Sequence, residues 1–315
     1  MNNNTIKSNL IKLTLALAIS LSLAACKSGD DREVNVDLKT NNSDANRSNI
    51  PECLIPVAGG ELVYEEGVAK VDATNSCDGY IYITYSGESD DVKLQINHVN
   101  DITYTYSIKR GDTVLPLTQG DGDYTITMYE GMGNGQYSVI LIADINAELN
   151  NEFEPYRYPN YYVNYDKDSP AVAIGEGLAD GLSSDLEVIA AVYEYVIANI
   201  SYDHDKAQIV AGDYVPDIDE ILNSGKGICF DYASLMAAML RSQRIPTRLE
   251  VGYAGDAYHA WVTTYVEDIG WINGIIQFDG VDWTLMDPTF AANADSKTLK
   301  KFIGNGDNYL TKYAY

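Results

Sequence analysis

The chain has 315 residues, a formal net charge of -25 and 46% hydrophobic residues. That length suits about two domains plus processing segments, and the hydrophobic share is enough for sizeable cores, which excludes wholesale disorder. A surface this acidic repels nucleic acid and anionic lipid headgroups; beside its plain effect on solubility, it favours basic partners.

Residues 1–25 read as an export signal. Lys7 and Lys12 make a positive start, and residues 13–23 form an apolar run too short for a comfortable membrane span. The run ends Leu23-Ala24-Ala25-Cys26, a pattern that resembles a bacterial lipobox. The favoured reading makes Cys26 a lipidated mature N-terminus on the outer face of a membrane; the other is ordinary cleavage near the alanines. Residues 26–50 are polar, rich in Asn, Asp and Ser, and without period, as expected of a tether.

Residues 51–165 are strand-like. Tyr80–Tyr85, Val92–Ile96, Thr103–Ile108, Asp123–Tyr129 and Gln136–Ala143 alternate or run apolar between Gly- and Asp-rich turns. The expectation is an all-β, sandwich-like domain without catalytic pattern. Its 25 tyrosines against 5 phenylalanines across the chain suit half-exposed strand faces, where a ring packs and its hydroxyl stays wet. His98 reads as a surface or packed histidine, and residues 151–168 as an extended connector.

Residues 166–315 begin with a helical period. Ser184-Asp185-Leu186-Glu187 is a capping box, followed by Ile189, Val192, Tyr193, Val196, Ile197 and Ile200 at amphipathic spacing. Asp217 and Glu220 start a shorter helix that ends near Asn223, and a third helix runs from about Cys229 to Gln243. Strands follow at Arg248–Tyr253, His259–Val266, Gly274–Phe278 and Trp283–Met286. Helices and then an antiparallel sheet make an α+β order.

Gly225-Lys226-Gly227-Ile228-Cys229 puts a thiol in the first turn of that third helix. Unpaired amides there stabilise negative charge, both on a thiolate and on the oxyanion formed when it attacks an amide carbonyl. His259 begins one strand and Asp287 follows the end of another, so an antiparallel pair can set the carboxylate beside the imidazole. Cysteine, histidine and aspartate on helix, strand and strand form a more specific signal than any one of them alone.

The segments Gly225–Cys229, Leu240-Arg241, Ile245–Arg248, His259-Ala260-Trp261 and Trp283…Asp287-Pro288-Thr289 resemble the transglutaminase-like superfamily, as does Asn199–Asp203 upstream. The resemblance implies a papain-like transglutaminase core and thioester chemistry, with Cys229 as nucleophile, His259 as acid/base and Asp287 as its orienting group. Arg244 departs from the glycine that usually precedes Ile-Pro. A left-handed arginine there would cost about 1 kcal/mol.

Secondary candidates are Trp261 and Trp283 for a pocket wall and Tyr202 for the oxyanion, each weighed against simple packing. Asp231 reads as a helix-start charge. With Cys26 acylated and Cys229 reactive, Cys53 and Cys77 remain to form a disulfide or two buried thiols. Three histidines without ligand spacing argue against a metal; no cofactor is expected, and the acidic surface leaves calcium open although no EF-hand-like loop occurs. The expected activity is acyl transfer from an amide to an amine or to water at the cell surface, on a protein or peptide substrate of basic character. A silent binding lipoprotein and an extracellular cysteine peptidase are the alternatives.

Overall fold

The computed structural model describes residues 47–99, 102–254, 256–267, 269–273, 275–278, 283–286 and 309–315. Residues 1–25, Cys26, most of the 26–50 tether and Asp287 lie outside them. Among the described residues no helix is long and apolar enough to cross a membrane.

The N-terminal half consists of antiparallel strands. One four-stranded sheet takes β1 (Val63–Glu66), β2 (Ala69–Asp72), β3 (Tyr80–Tyr85) and β6 (Gly111–Pro116) in that spatial order. The other runs β5 (Thr103–Ile108), β4 (Val92–His98), β7 (Gly122–Gly133), β8 (Gln136–Ala147). Alternation decides the packing: in β4, Val92, Leu94, Ile96 and His98 are buried while the residues between them are only partly so. Their inward positions, together with Val71, Ile81, Ile83, Tyr106, Ile126 and Leu141, fill one continuous core. His98 is one of the packed residues, tilted 4.5 Å from the Tyr124 ring.

The connector is tied to both halves by aromatic rings. Phe153 and Tyr156 meet Trp271 and Tyr265, and Tyr161 and Tyr162 meet Tyr106. The Tyr161 hydroxyl donates to the carbonyl of Ser107. A 3-10 turn at Glu154–Tyr156 interrupts what the sequence reads as extended chain.

The second half opens with α1 (Pro170–Ala179) and α2 (Asp185–Asn199). The capping box on α2 forms as its sequence requires: Ser184 Oγ accepts from the Glu187 amide at 3.3 Å, and Glu187 Oε2 accepts from the Ser184 amide at 3.0 Å. β9 (Ser201–Tyr202), α3 (His204–Ile209), α4 (Ile218–Ser224) and β10 (Lys226–Gly227) lead into α5 (Cys229–Ser242). From Asp231 to Ser242 every residue of α5 is buried, and α1, α2 and α4 pack around it. On another side lie β11 (Thr247–Ala254) and β12 (Ala257–Val266), in the sheet ordered β13 (Gly270–Asn273), β12, β11, β16 (Tyr309–Ala314). β14 (Ile275–Phe278) pairs with β15 (Trp283–Met286). The whole is α+β, a helix-and-antiparallel-sheet core preceded by a sheet-rich region.

Two expectations change. Residues 47–50, assigned by composition to the tether, lie against the end of α5: Arg47 binds Asp185 and the Gln243 carbonyl, and the Glu52 amide donates to Ser242. Cys53 and Cys77 are free thiols, not a disulfide. Cys53 follows that strap near Asp166, where burial and the carboxylate push its thiol up. Cys77 sits in a 3-10 turn whose carbonyl accepts from the Asn150 amide. The two therefore belong to different contacts.

Arg244 does adopt the left-handed conformation, with φ 65°. Its guanidinium donates to the Ser48 carbonyl at 3.0 Å, the Ser48 hydroxyl at 3.1 Å and the Ile50 carbonyl at 2.6 Å.

Candidate active site

The loop before Cys229 is held from both sides. Gly225 ends α4 at φ 63°, a left-handed cap that suits glycine. β10 then pairs in parallel with β9, the Ser201 amide donating to Gly225 and the Asp203 amide to Gly227. A side chain at Gly227 would place its Cβ 2.7 Å from Cβ of Asp231, so only glycine allows this closeness. Cys229 opens α5 half-buried, and first-turn amides lack a partner four residues back within the helix.

Ile228, at the helix cap, has no side-chain acceptor. Asp231 compensates: its carboxylate, wholly buried, accepts from the Ile228 amide at 2.8 Å, from Lys206 Nζ at 2.7 Å and from the Tyr214 hydroxyl at 2.5 Å. Lys206 also donates to that hydroxyl at 2.5 Å and lies 4.3 Å over the ring. Burial, then the bond to Asp231 and its charge, push the Tyr214 phenol far above its ordinary value. Asp231 is thus a helix-start charge, as its position indicates, and it also binds α3 and the 210–217 loop to the cysteine's turn. Nothing at the sequence level pointed to Lys206 or Tyr214.

His259 is buried on β12, opposite Gly252 of β11. Gly252 has its own steric reason: an added Cβ would meet the Leu310 carbonyl oxygen at 2.0 Å, where β16 shifts register past it. His259, Trp261 and Thr263 alternate onto one face. Trp261 is fully buried, with its ring near-parallel to His259 at 6.4 Å and edge-on to Tyr309 at 4.9 Å. The phenol of the neighbouring Tyr258 is raised by partial desolvation and by Tyr313, Tyr253 and Cys229, which puts it in electrostatic reach of the thiol.

The structure therefore joins Cys229 and His259 at the level of elements, since α5 lies directly on β12. Tyr202 is in the strand beside Gly227 and stacks edge-on to His204 at 4.9 Å. Its side chain is partly buried against the core. Trp261 is core. Trp283 begins β15, but its side chain lies outside the described residues, as does all of Asp287. A cavity of about 790 Å³ opens elsewhere, between β3, β6, the connector and the start of α4; neither Cys229 nor His259 lines it. Among the described residues no His/Cys/Asp/Glu group is arranged to hold a metal.

Residues 172–274 match the Transglutaminase-like superfamily. A search of curated proteins found no match. Among solved structures, the periplasmic domain of TgpA from Pseudomonas aeruginosa is similar at 15% identity and a TM-score of 0.33, over 75% of this chain and 76% of that one. A candidate cysteine protease from Cytophaga hutchinsonii shares 14% identity at a TM-score of 0.34, over 67% and 74%. Red sea bream transglutaminase shares 16% at a TM-score of 0.28, over 67% of this chain and 48% of that one.

Proposed function

We propose that the chain, whose residues 172–274 match the Transglutaminase-like superfamily, is a cysteine enzyme that opens an amide through a Cys229 thioester. The observation that carries this reading is a half-buried cysteine opening α5, which lies on the strand that bears the buried His259. A helix start favours thiolate and oxyanion alike, and a histidine can take and return the proton.

The chemistry balances in two steps. The Cys229 sulfur bonds to the carbonyl carbon while the carbonyl pair moves to oxygen, where first-turn amides of α5 stabilise it. The oxygen pair returns, the C–N bond breaks, and protonated His259 gives its proton to the leaving amine or ammonia. An amine or water then attacks the thioester, surrendering a proton to His259, and the C–S bond breaks. Asp287 is the residue proposed to hold the imidazole. Acceptor choice separates transfer from hydrolysis.

The test uses a glutaminyl dipeptide with hydroxylamine. Wild type should form hydroxamate, and Cys229→Ala should lose it by about 10⁴-fold or more. Undiminished activity in Cys229→Ala would sink the assignment. Product masses without hydroxylamine distinguish an acid from a transferred amide, and new peptide termini on a protein substrate would favour a peptidase. We further propose that the protein is exported and anchored through an acylated Cys26, as the lipobox pattern supports. Labelling with a palmitate analogue should vanish in Cys26→Ser; an unlabelled wild type would overturn the anchor.

A further inference from the structure

A charged side chain near the centre of β11 is unaccounted for by sheet packing. Glu250 is buried between Leu249 and Val251, where an apolar residue would suffice. Burying a carboxylate costs several kcal/mol unless donors satisfy it. Three do so through one oxygen: Trp261 Nε1 at 2.7 Å, Thr263 Oγ1 at 2.9 Å and Thr311 Oγ1 at 3.3 Å. The shortest is to Trp261, its Cα partner across the ladder. The next pair along the same face is Gly252 and His259. The Trp261 ring lies near-parallel to His259, at 25° and 6.4 Å.

We propose that Glu250 is a positioning residue for His259, acting through Trp261. The carboxylate fixes the indole N–H, which leaves Trp261 one ring orientation; that ring forms a wall for the imidazole. The proposal rests on the acyl-transfer reading, because it gives His259 a task in which orientation matters. The bland alternative is that Glu250 merely ties β16 to β11 and β12 through the threonines. Trp261 distinguishes the two, since tying the strands does not require it.

Two variants break the link at different points. Glu250→Leu removes the acceptor, whereas Trp261→Phe keeps a ring and both threonine bonds but removes the indole donor. In each, the His259 ring resonances, resolvable among three histidines, should move and broaden. Alkylation of Cys229 by iodoacetamide should slow by about 10-fold or more. Glu250→Gln retains an acceptor oxygen and should stay within about threefold of wild type. Wild-type His259 resonances and alkylation in Trp261→Phe would overturn the proposal, even where Glu250→Leu fails to fold. So would a Glu250→Gln variant as impaired as Trp261→Phe, since charge and not the bond would then be the requirement. The resonances report with or without turnover, so an inactive wild type would sink the acyl-transfer reading alone.

Discussion

Around β4 and β7 the interior is mostly apolar, built from Leu94, Ile96, Ile126, Met128 and their neighbours, with His98 and Thr127 as buried polar residues among them. Around α5 it contains charge: Asp231, Arg241 and Glu250 are all buried. Arg241 donates twice to the Thr247 carbonyl, at 2.9 and 2.8 Å, and once each to those of Tyr158 and Tyr315, at 2.8 and 2.7 Å. Its guanidinium is brought down to about 10 by burial. The difference teaches a division of labour. Apolar alternation is enough to close the N-terminal sheets, whereas the irregular backbone around α5 needs donors and acceptors in specified places.

Between the two interiors runs a seam of phenols. Tyr104 and Tyr106 from β5 meet Tyr162 of the connector and Tyr313 and Tyr315 from the other half. Burial raises Tyr106, Tyr162 and Tyr315 well above the ordinary phenol value, and pushes Tyr156 and Tyr161 up to about 12. A raised folded value means stability that is intact below the unfolded value of 10 and lost as pH climbs past it. The largest effect expected is therefore alkaline unfolding. Absorbance at 295 nm should show exposed tyrosines titrating near pH 10, and the seam titrating only together with loss of circular dichroism. Smooth titration of every tyrosine with the fold intact would remove the seam from the account.

Next in size is the contrast between the two interiors. Arg241→Met removes the hydrogen bonds to the main-chain oxygens of Tyr158, Thr247 and Tyr315 and should cost about 3–5 kcal/mol in urea unfolding. Leu94→Ala should cost about 3 kcal/mol through its cavity, with the Cys229 alkylation rate unchanged in the native state. An Arg241→Met variant that loses less than about 1 kcal/mol would mean that an apolar core serves as well around α5. The comparison would then fail.

The same contrast explains what could be read in advance. β3 and β5 match their expected bounds and β4 and β7 run longer, because alternation is a property of neighbouring residues. β6, with Gly111 and Asp112 at its start and Pro116 at its end, resembles a loop until β3 pairs with it. β16 likewise owes its place to β11. Ser184 and Glu187 announced their capping box, and Cys229 its helix start. Glu250 lies inside the expected strand Arg248–Tyr253, but its donors come from two other strands, which no local pattern reveals. Asp231 was legible as a charge at a helix start but not as the hub of Lys206 and Tyr214, 25 and 17 positions away. Cys53 and Cys77 could be read only as a disulfide or as two thiols, and the structure has two thiols, because counting cysteines carries no information about which elements meet.

Arg244 gives the smallest effect and isolates one cause. At φ 65° it strains the backbone, and its side chain binds the 48–50 strap. Arg244→Ala keeps the strain and loses those bonds, whereas Arg244→Gly loses both. Glycine should therefore be the more stable variant by about 1 kcal/mol, measurable as a difference in urea midpoint at equal slope. If the two variants unfold together, the left-handed turn carries no strain, and the bonds to Ser48 and Ile50 serve only to hold the strap. If arginine is the least stable of the three, those bonds do not offset the strain.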